Sequence, residues 1–260
     1  MTDLNKLKSL PLYLSSSICS SIVTHPIDVM KVRVQTSMYL DPMNILSHNL
    51  QKDGISFLFK GIRASILRNG SFVTTKMFSY DYFRGVFNNN SFQDKVISGI
   101  GAGVCGSLFG TPFDLVMVRI QNNPNKYPDI YTTISKTYKE GIFSFWNGIY
   151  YTMNRAIIVT ACQFSVFEQL KYELTLLQMN KHTTFITSSV ISSIITGTLS
   201  NPYDLCKSRT MNNCKNSTIV NICKNEGVLS LWKGLHMNLG RQIPLNLIRF
   251  SFLEFFKQFI

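Results

Sequence analysis

The chain has 260 residues, of which 15% are charged and 12% aromatic. A soluble domain carries about 25% charged residues, and so apolar and aromatic a chain is not disordered. Twenty-six Lys and Arg against 14 Asp and Glu leave a net charge of +12, so a low charge density with a basic excess points to a membrane protein or a nucleic-acid binder.

In chain order, six helical stretches alternate between two kinds. Residues 9–27, 96–113 and 183–203 carry no Asp, Glu, Lys or Arg. Each has the roughly 20 residues that a spanning helix needs. All three are rich in Ser, Gly, Ala and Thr, which let membrane helices pack closely. Residues 61–85, 148–172 and 234–258 are aromatic-rich and interrupted by charge. Intramembrane charges are costly and usually face a water-filled cavity, where they carry function.

The chain repeats itself three times. Each charge-free stretch runs into a proline motif: Pro26-Ile27-Asp28-Val29-Met30-Lys31, Pro112-Phe113-Asp114-Leu115-Val116-Met117 and Pro202-Tyr203-Asp204-Leu205-Cys206-Lys207. An acid–Gly pair follows: Asp53-Gly54, Glu140-Gly141 and Glu226-Gly227. Counted from that Gly, the register is the same in every repeat. Phe59-Lys60-Gly61, Trp146-Asn147-Gly148 and Trp232-Lys233-Gly234 come first. Arginines follow at Arg68, Arg155 and Arg241, then acids at Asp81, Glu168 and Glu254 and bases at Arg84, Lys171 and Lys257. Length varies only between the proline motif and the Gly, so the connection sits there and the helical blocks are the constrained part.

The arginines lie 13 residues before their acids, about 20 Å along a helix, and therefore at one depth. Two turns further on, on the same face, come Lys76, Gln163 and Arg249, with Phe72, Val159 and Leu245 between the tiers. Arginine forks bind carboxylate or phosphate oxygens bidentately. Rows of cations without matching acids at the same level predict an anionic substrate with more than one negative charge. At the ends of the charged helices, the i, i+3 spacing sets each acid and base on one helix face.

A threefold pattern of this length resembles the mitochondrial carrier family over essentially the whole chain. The motif detail is most similar to the dicarboxylate and 2-oxoglutarate carriers, with uncoupling proteins as close cousins. The resemblance implies an all-α membrane protein of six transmembrane helices. These form three tandem two-helix repeats with pseudo-threefold symmetry, joined within each repeat by a short matrix helix. The chain would be one membrane domain, 1–260, with repeats at about 8–88, 92–176 and 182–260. The resemblance further implies a matrix gate built from Asp28, Lys31, Asp114, Asp204 and Lys207. Met117 departs from the pattern and cannot pair, so at most two acid–lysine pairs are expected, unless Arg119 or a water compensates. A cytosolic gate is implied at Asp81, Arg84, Glu168, Lys171, Glu254 and Lys257. Substrate contacts are implied at Arg68, Phe72, Lys76, Arg155, Gln163, Arg241 and Arg249.

The same resemblance places cardiolipin at Lys60, Gly61, Gly148, Lys233 and Gly234, since helix N-termini bind phosphates and basic pockets on the matrix side suit that lipid. It implies alternating-access exchange of small anions, most similar to malate or 2-oxoglutarate carriage, with phosphate as a candidate counter-substrate. A tricarboxylate, nucleotide or uncoupling-type carrier, and a non-transporting adaptor of the same fold, stay open as alternatives. The setting it implies is the mitochondrial inner membrane, with both termini facing the intermembrane space and the monomer as the working unit. The six cysteines show neither zinc nor disulfide spacing. No catalytic set, phosphate loop, metal cluster or nucleic-acid motif is visible, so neither an enzyme, a cofactor nor a nucleic-acid partner is expected.

Overall fold

A computed structural model describes residues 3–36, 42–87, 91–214 and 217–242. Among them the chain is helical and no strand occurs. Five long helices carry the architecture: α1 (Asp3–Thr36), α3 (Ile62–Val86), α4 (Phe92–Asn122), α6 (Ile149–Leu176) and α7 (Lys181–Met211). Between odd and even members lie the short helices α2 (Pro42–Asp53), α5 (Ile130–Glu140) and α8 (Ile219–Glu226), each followed by one 3₁₀ segment. Residues 235–242 are helical; the rest of the sixth predicted stretch, with Arg249, Glu254 and Lys257, lies outside the described residues. Among the described helices, α4 has the length and apolarity of a membrane span by composition. The other long helices carry hydroxyl and charged side chains.

Small residues decide how closely α4 is approached. A Cβ on Gly101 would stand 2.9 Å from the Phe83 ring, and one on Gly106 would stand 3.2 Å from Phe72, both on α3. On its other side, Gly99 and Gly103 face Thr160 and Ala156 of α6. One helix thus receives two neighbours through glycine faces, the close packing that small residues permit.

Prolines 26, 112 and 202 sit inside α1, α4 and α7, which continue through them. A proline has no N–H for the carbonyl four residues earlier. In two repeats a tryptophan supplies the donor: Trp146 Nε1 donates to Leu108 O at 3.0 Å, and Trp232 Nε1 to Thr198 O at 3.2 Å. These are the carbonyls four residues before Pro112 and Pro202. In the first repeat the equivalent residue is Phe59, whose side chain has no N–H.

Contacts between repeats run in one rotational sense. Arg33 Nε donates to Gln121 O, Arg119 Nε to Met211 O and Arg209 Nε to Gln35 O, at 3.0, 3.3 and 3.1 Å. The first repeat holds the second, the second the third, and the third the first. Gly61, Gly148 and Gly234 precede the even helices with φ of 83°, 88° and 79°, a left-handed conformation that glycine adopts without steric cost. They lie against Gln121, Met211 and Gln35 in the same cyclic order.

Candidate functional site, an ion-pair layer beneath a cationic cavity

The acids of the proline motifs meet at the centre of the helices. Lys31 Nζ lies 2.7 Å from Asp204 Oδ2, and Lys207 Nζ lies 2.6 Å from Asp114 Oδ2. Asn238, fully buried, braces the first pair: it accepts from Lys31 Nζ at 2.9 Å and donates to Asp204 at 3.3 Å. The third acid, Asp28, has no lysine. By register its partner would come from position 117, where Met117 packs with Val32, Leu115 and other apolar residues. Arg119 does not compensate for it. Its guanidinium is buried, donates to Glu140 and Thr137, and lies over the Tyr127 ring. The possibility that Arg119 completes the layer is therefore corrected: its length is spent on the neighbouring acid–Gly segment.

Each acid of the layer also receives one even-helix arginine. Arg68 Nε lies 2.9 Å from Asp114 Oδ1, Arg155 pairs with Asp204, and Arg241 Nε lies 3.1 Å from Asp28 Oδ1. These contacts are close as charges but poorly aligned as hydrogen bonds. Asp114 Oδ1, Arg155 Nε and Arg241 Nε have no hydrogen-bond partner. The guanidiniums are drawn to the carboxylates without being saturated by them.

Above this layer opens a cavity of about 170 Å³. Arg68, Phe72, Lys76, Arg155, Gln163 and Arg241 all line it, as does Val159 between the tiers. Every described member of the predicted binding set is thus brought together. Phe72 has a second duty, because its ring seats against Gly106 and Gly110 of α4, and Lys76 Nζ stands 6.0 Å from the ring centre. Among the described residues, three carboxylates, Asp28, Asp114 and Asp204, face six cations, Lys31, Lys207, Arg68, Arg155, Arg241 and Lys76. The surplus is positive, and a cavity with low-dielectric walls focuses it on whatever enters.

At the far end of the long helices, Arg84, Glu168 and Lys171 are exposed. The proline-motif end is closed by buried pairs, and at the opposite end Asp81 is half-buried. Lys60, Gly61, Lys233 and Gly234 occupy the starts of the even helices. Gly61 and Arg63 line a groove of about 530 Å³ against Asp129 and Tyr131 at the start of α5. Among the described residues no group of His, Cys, Asp and Glu could hold a metal ion.

One functional set was missed. Arg33, Arg119 and Arg209 lie seven residues after their prolines, buried in each case. Arg209 grips Glu226 with both branches, at 2.6 and 2.8 Å, and holds that carboxyl below its ordinary titration range. The signal was present, since all three arginines share one register.

Comparison with known proteins agrees with this geometry. The sequence profile described as "Mitochondrial carrier protein" matches residues 7–91, 88–176 and 180–260. The chain belongs to the mitochondrial carrier family. This carrier is therefore a transporter and not an enzyme, and its membrane is the mitochondrial inner membrane. It is 30% identical to mitochondrial uncoupling protein 6 of Arabidopsis thaliana, across 94% of this chain and 79% of that protein. It is 29% identical to a probable mitochondrial 2-oxoglutarate/malate carrier of Dictyostelium discoideum, across 92% and 85%. It is 28% identical to the mitochondrial 2-oxoglutarate/malate carrier of Caenorhabditis elegans, across 90% and 87%.

Proposed function

We propose that this carrier exchanges small dicarboxylates, of the malate and 2-oxoglutarate kind, across the inner membrane. The observation that carries the reading is the cavity itself: three arginines at one depth held to their carboxylates by charge without well-aligned hydrogen bonds, a second cation and an amide above them, and, among the described residues, fewer carboxylates than cations. An anion entering between the arginines can take bidentate contacts from their guanidinium forks. Drawing Arg68 and Arg155 toward the substrate loosens their hold on Asp114 and Asp204. Ligand binding and the buried ion-pair layer are then coupled, which is what alternating access requires. Several relatives named as 2-oxoglutarate/malate carriers support the substrate class.

The proline-motif pairs would be the matrix gate, and Asp81, Arg84, Glu168, Lys171, Glu254 and Lys257 the opposing gate, with both termini outside the matrix and a monomer as the working unit. Cardiolipin would lie at the even-helix starts, for which the groove beside Gly61 and Arg63 supplies backbone amides and a cation.

The test is uptake of labelled malate into proteoliposomes preloaded with malate, 2-oxoglutarate, phosphate, citrate or ATP. Uptake driven by internal dicarboxylate and abolished by Arg155→Ala is the expected result. Exchange only with citrate or nucleotide would discard the substrate class. Similarity to uncoupling proteins supports a second reading, proton conductance, which a pH-sensitive dye inside the same vesicles would report. Folded protein that moves nothing would make this chain an adaptor.

A further inference from the structure

The three arginines at the floor of the cavity differ in what they would leave behind. Asp114 keeps Lys207 when Arg68 is drawn away, and Asp204 keeps Lys31 when Arg155 is. Asp28 pairs with Arg241 at 3.1 Å, and among the described residues no second cation pairs with it. Asp28 is buried, with 8% of its surface exposed. Removing the single partner of a buried charge is strongly unfavourable, because the remaining charge has neither water nor a counterion. Met117 stands at the register position of the missing lysine and lines the same small void as Asp28 and Arg241.

We propose that Arg241 is the third cation of the ion-pair layer, standing in for the lysine that Met117 replaces, and that Arg68 and Arg155 form the substrate clamp. The proposal rests on the anion-exchange reading above and divides the work among residues that the sequence treats as equivalent. Arg68 and Arg155 are each the second cation on a carboxylate, so they can be lent to a ligand. Arg241 is the sole cation on its carboxylate, so it stays. It is then a positioning residue that closes the layer on the Met117 side. A clamp of two arginines suits a substrate with two anionic groups, with Lys76 and Gln163 above them setting its length.

The experiment is a charge-transfer cycle in the full chain: Arg241→Ala, Met117→Lys, the double variant, and Arg68→Ala and Arg155→Ala each with and without Met117→Lys. Two readouts are taken, malate uptake into malate-loaded vesicles and the midpoint of thermal unfolding in detergent. Arg241→Ala should lose roughly tenfold or more in uptake and unfold about 5 °C or more below the parent. Met117→Lys should restore most of both losses and return KM to the parental value. It should restore neither Arg68→Ala nor Arg155→Ala. A double variant with parental thermal stability and no uptake would overturn the proposal, because Arg241 would then be needed by the substrate itself. If the parent moves no anion, the anion-exchange reading fails on its own, and the unfolding cycle still decides the pair: Arg241→Ala no less stable than Arg155→Ala, without recovery by Met117→Lys, overturns it. If Arg241→Ala does not fold, Met117→Lys in the parent decides: it should raise the unfolding midpoint and slow exchange, and no change in either overturns the proposal.

Discussion

At the scale of single residues, charge is spent in two ways. Arg119 and Arg209 are almost wholly buried, and each is saturated by an acid from the following segment. Their role is to fasten the short helices to the odd helices. Arg68, Arg155 and Arg241 carry the same chemistry but meet Asp114, Asp204 and Asp28 as close charges without well-aligned hydrogen bonds. The difference lies in geometry, not residue type: a fork that meets a carboxylate squarely is saturated, and one that meets it askew is held by charge alone. The Arg209–Glu226 pair gives a pH prediction. The Glu226 carboxyl titrates below its ordinary range because Arg209 holds its charged form. Its stabilising contribution is therefore complete above the ordinary carboxylate pKa and is lost as pH falls through the lowered folded-state value. Thermal unfolding from pH 7 to pH 3 should show a full, constant difference between the parent and Glu226→Gln above about pH 4.5 that shrinks as pH falls below it. A difference that is constant with pH would remove the linkage.

Elements are joined by devices that repeat with the chain. The proline of each odd helix frees a carbonyl, and the tryptophan that ends the 3₁₀ segment answers it in the second and third repeats. That bond ties the proline segment of the odd helix to the start of the next helix. Trp146→Phe and Trp232→Phe keep the ring and lose the donor. Each should cost about 1 kcal/mol, the usual worth of one such bond, or a fall of roughly 2–4 °C in the unfolding midpoint. Phe59 offers no such donor, so Phe59→Leu should cost packing alone and leave the bend of α1 as it is. Hydrogen exchange at the residues after Pro26, Pro112 and Pro202 would separate these cases. Gly148→Ala is the complementary test, since its Cβ would meet Met211 at 3.2 Å in a left-handed backbone. Strain and overpacking together predict a loss larger than that of either tryptophan.

For the whole molecule, one end is closed by buried ion pairs, and at the other the described residues Arg84, Glu168 and Lys171 are exposed. Val118 lines the closed void and is buried, whereas Gln163 lines the cavity and is exposed. In a background without the native cysteines, Gln163→Cys should react with an impermeant thiol reagent from the cavity side, and Val118→Cys should not. Added dicarboxylate should accelerate labelling of Val118→Cys from the opposite side, as exchange cycles the layer open. Equal labelling of both variants without substrate would mean that the layer does not seal.

Much of this was legible in the sequence because the chain states each position three times. The equivalence of Arg68, Arg155 and Arg241, the placing of Lys76 and Gln163 two turns above, and the loss of a cation at Met117 follow from register alone. The short helices and their saturated arginines were harder to read, since the length of that segment varies and its contacts bridge distant residues. Sequence by itself determined the family, the threefold plan and the depth of the charged rows, because helical periodicity converts spacing into height and face. Only the tertiary structure decided which acid meets which base: Lys31 reaches Asp204 in another repeat, Arg119 turns to Glu140, and Asp28 is left with Arg241. Such pairings depend on how the helices of different repeats pack against one another and on which side chains are already saturated there, and a repeat read along one chain contains neither.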